Sequence, residues 1–211
     1  MKALFSVFLL ALLLLASPAQ AAGPLDAVSN ARAAVNADDV DAFNAAVDVD
    51  AVLQSGLTEG LDLLCTQAAS GKLSQNVDPM MALALSGVAS DCRPDNPQLL
   101  LLRALVQSEA KSFVAAGVGG GYFAGKPNGR VAESGMHSKL LRGMSSARKE
   151  LLPGKVISQT GDAAEVSATL RDAKAGEFPL RLKVERKNAA WRITEVLNAR
   201  ELVRGAMEAR R

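Results

Sequence analysis

Histidine is almost missing from this 211-residue chain, with His137 the single example. A multi-histidine metal site is therefore not expected, because such sites draw several imidazoles to one ion. Aromatic residues make up 4% of the chain, with one Trp and one Tyr. Single-stranded nucleic acid is bound on stacked aromatic faces, so nucleic acid is not an expected partner. There is no C-x-x-C pair, so a catalytic dithiol is not expected. There is no G-x-S-x-G turn, so Ser134, Ser138, Ser145 and Ser146 near His137 gain no support as a nucleophile. The acidic residues Asp38, Asp39, Asp41, Asp48 and Asp50 lack the glycine and closing glutamate of a calcium loop, and helix capping explains them better. The reading names no catalytic residue, no metal ligand and no cofactor.

Long apolar runs are scarce too. The one at Ala3–Ala16 covers about 14 residues, short of the ~20 that a spanning helix needs. Met1-Lys2 precedes it, Ser17-Pro18 breaks it, and Ala19-Gln20-Ala21 is a small-x-small cleavage site. Residues 1–21 thus read as a signal peptide, removed near Ala22, and no Cys stands there to carry a lipid. The expected location is periplasmic or secreted, with no transmembrane segment in the mature chain. In an oxidising compartment Cys65 and Cys92 are expected to form a disulfide, with two buried thiols as the alternative.

Charge is balanced only in total, at +2. Residues 22–125 hold 5 Lys/Arg against 12 Asp/Glu, while 126–211 hold 18 against 10. Either the halves pack against each other or the basic half meets an anionic partner such as lipid headgroups or glycans.

Residues 22–211 read as one α+β domain, helical over 22–152 and sheet-forming over 153–211. Leu25, Val28 and Val35 mark a first helix. Asp38 is expected to cap a second and Asp50 a third. Asp78-Pro79 and Asn96-Pro97 each read as a cap followed by proline at the first helical position. The second of these opens a strong helix through Leu99, Leu102, Val106 and Phe113. Gly117–Gly129 breaks it. Gly120–Lys126 fits most of a phosphate loop, but Pro127 stands where the metal-binding hydroxyl belongs and no strand precedes it. Another helix is expected over 132–152. Beyond Pro153 the period becomes two. A short strand at Lys155–Gln159 precedes three half-buried ones. Val166, Ala168 and Leu170 share one face, as do Leu180, Leu182 and Val184, and Trp191 and Ile193. Short turns between them require antiparallel pairing. Asn198, with Glu201 three residues on, reads as a capping box for a last helix.

Two segments carry a resemblance. Phe178–Lys187 followed by Ala190–Val196, together with the acidic turn Asn36–Phe43 between two helices, resembles the nuclear transport factor two-like (cystatin-like) superfamily, and its bacterial exported members in particular. The resemblance implies helices closing a curved sheet of about four strands. In many members that sheet encloses a pocket. Such a pocket would be lined here by Val166, Ala168, Leu170, Leu182, Val184, Trp191 and Ile193. The resulting expectation is an exported, non-catalytic binding protein for a small apolar or amphipathic ligand or an envelope protein. The alternatives are a periplasmic lipid carrier and an enzyme of the same superfamily.

Overall fold

The computed structural model describes residues 22–69, 92–93, 95–129, 148–174 and 176–208. Among the described residues, four helices come first: α1 (Pro24–Asn36), α2 (Val40–Ala46), α3 (Val49–Ala69) and α4 (Pro97–Gly119). Four strands follow, β1 (Lys149–Thr160), β2 (Ala163–Asp172), β3 (Gly176–Lys187) and β4 (Ala190–Val196), and then α5 (Ala199–Glu208). The strands pair in chain order as an antiparallel meander that does not close. The chain is thus α+β. Residues 1–21, the helix expected from Asp78 and His137 lie outside the described residues.

α1 starts with Pro24, whose missing N–H is no loss in a first turn. Asp26 turns back to accept from the Gly23 N–H at 2.7 Å. Ala27, Val28 and Ala31 on one face are at most 1% exposed. Small side chains let this helix lie close on the sheet. They pack with Ala46, Val47, Val166, Ala168, Leu182, Val184, Trp191 and Ile193 as one core.

The caps are shifted from those expected. Asp39, not Asp38, caps α2, accepting from Ala42 N–H at 2.9 Å. Asp38 instead takes a left-handed backbone, φ 55°. Asp48, not Asp50, stands at the head of α3 and accepts from Ala51 N–H at 3.3 Å. The reason is tertiary. Val47 forms a parallel bridge with Ile193, and Asp48 N–H donates to Ile193 carbonyl at 2.8 Å. That pins the chain to the edge of β4, and the helix starts at the next residue. Asn96 caps α4 as expected, accepting from Gln98 N–H at 2.9 Å.

The sheet begins earlier than 153, so the expected helix over 132–152 is corrected at its end. Lys149–Leu152 are the first residues of β1, opposite Asp172, Arg171, Leu170 and Thr169. The Lys149–Asp172 ion pair, at 3.0 Å and mostly shielded from solvent, favours the extended form. Register shifts fall between Pro153 and Val156 and between Val156 and Ser158. At the first, Ser167 Oγ accepts from Lys155 N–H at 2.9 Å.

Asn198 precedes α5 as expected, but its side chain does not cap it. It accepts from Arg181 N–H and donates to Pro179 carbonyl, both at 2.9 Å. The amide ties the start of α5 to β3.

Candidate functional site

The residues expected to line a pocket are packed. Val166 and Val184 are wholly buried, and Ala168, Leu182, Trp191 and Ile193 are 2–5% exposed. Leu170 is half-buried near the end of β2. α1 supplies the covering side chains. Trp191 is an anchor at both ends. Its ring sits in the core, and its Nε1–H donates to Ala22 carbonyl at 2.8 Å.

An open groove of about 340 Å³ lies on the other side of the sheet, between α3 and strands β3 and β4. Sequence reasoning did not single it out. Gln54, Ser55 and Thr58 of α3 form one wall, and Lys183, Glu185 and Lys187 of β3 form the other. Thr194 and Glu195 of β4 lie between. Lys183, Glu185 and Lys187 alternate with the core residues Leu182 and Val184, which puts them on the outward face of β3.

The two lysines of this groove are ion-paired. Lys183 meets Glu185 at 2.8 Å and Lys187 meets Asp48 at 3.1 Å. Ser55 Oγ–H donates to Glu195 at 3.3 Å. The hydrogen bond that the Lys183 ammonium gives to Glu185, helped by that carboxylate's charge, holds Lys183 above the ordinary lysine range. For Asp48, partial burial works to raise the pKa, but the Lys187 bond, the Ala51 N–H and the charges of Lys187 and Arg192 outweigh it. The carboxyl sits below its usual value. Among the described residues, no group of three or more His, Cys, Asp or Glu is placed to hold a metal.

The glycine segment is a packed turn. Gly120, Gly121, Phe123, Gly125 and Lys126 all direct their N–H groups to carbonyls at Ala116, Val118, Gly117, Tyr122 and Gly121. A phosphate cradle needs such groups unspent. Gly121, at φ 71°, is required there, because a Cβ would stand 2.2 Å from the Lys126 carbonyl oxygen. Asn128 seals the turn with bonds to Asp38 at 3.2 Å and Gly119 carbonyl at 2.9 Å.

Cys65 and Cys92 are bonded, with Cα atoms 5.9 Å apart. The bridge joins α3 to the chain just before α4. Arg103, bonded to Gln54 carbonyl and Thr58, and Lys111, 2.7 Å from Asp50, hold the two helices together further along. No helix among the described residues is long and apolar enough to cross a membrane. Comparison with family models, curated proteins and solved structures finds no match to this chain.

Proposed function

We propose that the mature chain is an exported, non-catalytic binding protein whose partner is another protein of the cell envelope. The observation that carries this reading is the occupied inner face of the sheet. Where the nuclear transport factor two-like resemblance implies a hollow, Ala27, Val28 and Ala31 lie against Val166 and Val184. Apolar ligands are held in concave apolar pockets, and those side chains are spent on the fold. The disulfide supports an oxidising compartment, in line with the signal-like residues 1–21. The paired charges of the groove support a surface that meets solvent or another protein.

Native mass spectrometry of the chain recovered from the periplasm or medium tests this. The expected spectrum is the bare mature mass, with a protein adduct after in-cell cross-linking. The lipid-carrier alternative draws on Leu101 and Leu105 of α4, which are 72% and 57% exposed and one turn apart. A stoichiometric lipid adduct in the same spectrum would replace the protein-partner reading with that one.

A further inference from the structure

Three arginines, one on α1, one just before β1 and one on β2, surround one carboxylate. Arg32 on α1 bonds Glu150 on β1 at 2.5 Å. Arg148, just before β1, comes to 3.8 Å of the same Glu150 oxygen. Arg171 on β2, opposite Glu150 in the ladder, comes to 3.9 Å of its other oxygen. Distances of 3.8–3.9 Å exceed a hydrogen bond. Glu150 therefore takes its hydrogen bond from Arg32 and draws the other two guanidiniums in by charge.

Those two guanidiniums keep donors to spare. Arg148 donates to the neutral Asn36 Oδ1 at 2.9 Å and has to share the Glu150 charge with Arg32 and Arg171. Arg171 donates through Nε to Glu177 at 2.7 Å, and its Nη1 is the atom turned toward Glu150. Both side chains are about half exposed, at 50% and 49%. The cluster counts three cations against Glu150 and Glu177, within a half of the chain that is strongly basic.

Arg148 is also held in place. Gly125, φ 71°, lies so close that a Cβ there would be 2.9 Å from Arg148 N. The neighbouring Lys149 N–H donates to Phe123 carbonyl at 2.8 Å. The glycine turn thus seats the backbone beneath the arginine.

We propose that Arg148 and Arg171, held apart by Glu150, form a binding site for a phosphate-bearing anion. A guanidinium fork matches phosphate oxygens in pairs. A tetrahedral anion offers oxygens to two forks arriving from different segments of the chain, whereas a carboxylate offers one edge. The site stands independently of the protein-partner reading. The anion comes either as a free phosphate or as a lipid headgroup.

The test uses the mature chain with two probes: inorganic phosphate by calorimetric titration, and sedimentation with phosphatidylglycerol vesicles against phosphatidylcholine vesicles. Arg148→Gln/Arg171→Gln is expected to weaken binding by about tenfold or more, the scale of one strong charge-assisted pair. Arg200→Gln, an arginine paired with Glu59 and Asp62, removes one charge elsewhere and is expected to leave binding within about twofold. Arg148→Lys/Arg171→Lys keeps charge and fold but loses the forks, and is expected to bind several times more weakly than the parent chain. Response to inorganic phosphate identifies a free anion as the ligand, and response to phosphatidylglycerol vesicles alone identifies a headgroup. No binding of either probe, equal loss in Arg200→Gln, or full binding by the lysine pair would overturn the proposal.

Discussion

Trp191 does two separable things. Its ring fills the core, and its Nε1–H holds Ala22. Trp191→Ala is expected to cost ~3–5 kcal/mol, and Trp191→Phe much less, since most ring contacts survive and one hydrogen bond of ~1 kcal/mol is lost. Urea melts of the three proteins check this, and equal midpoints for parent and alanine variant would refute the anchor. Asp48 gives a pH prediction. Its carboxyl pKa is lowered in the fold, so the stability it contributes is present above the unfolded value of about 3.9 and is lost as pH falls through the folded value. Asp48→Asn should therefore be less stable than the parent at pH 7, with the gap closing toward pH 3. A gap that stays constant over that range would place its cause outside the ionisation. That Trp191 lies on the apolar face of its strand was legible, because its alternation with Ile193 is local. The choice of Asp48 over Asp50 was not, because it is set by a bond to Ile193 far along the chain.

At the scale of elements, the meander was readable from its period, and α4 from its Asn-Pro start. The first strand was readable from Lys155 to Gln159 but not at its start. Its residues 149–152 carry no alternation strong enough to outweigh the helical pattern before them, and only pairing with β2 makes them extended. The filled inner face was also hidden. Alternation tells which side of a sheet is apolar, but not that small residues of α1 would lie directly on it. Ala168 tests that packing. Ala168→Phe inserts a ring where the residue is 4% exposed, and a loss of ~1–3 kcal/mol is expected. A variant that melts at the parent temperature would point to a hollow behind β2. The bridge between α3 and α4 encloses a sequence separation of 27. Reducing it should lower stability by ~3–4 kcal/mol on the chain-entropy account, read as a lower urea midpoint in reductant.

Over the whole molecule, the division into an acidic and a basic half resolves into specific ties. Lys187 with Asp48, and Arg200 with Glu59 and Asp62, run between the halves. These pairs lie near the surface, so their contribution is small and falls with salt. The basic half was legible as a count. That Arg148 and Arg171 would converge with Arg32 on Glu150 was not, because it depends on strand register and on a glycine turn packed beneath.

The two margins of the sheet have a consequence for chains held together at high local concentration. An open sheet margin is a template on which other chains can add strands. Here the β4 margin is occupied by Val47 and Asp48. The β1 margin is longer and carries exposed Val156 and Ile157, but it is broken by Pro153, which has no N–H to offer, and by two register shifts. Neither margin presents an even ladder, and the expected consequence is slow fibril growth through the sheet. Pro153→Thr would restore a donor beside that apolar pair. In concentrated, agitated solution it is expected to bind thioflavin T sooner than the parent chain does, and an unchanged lag time would show that the irregular margin plays no part in keeping the chains apart.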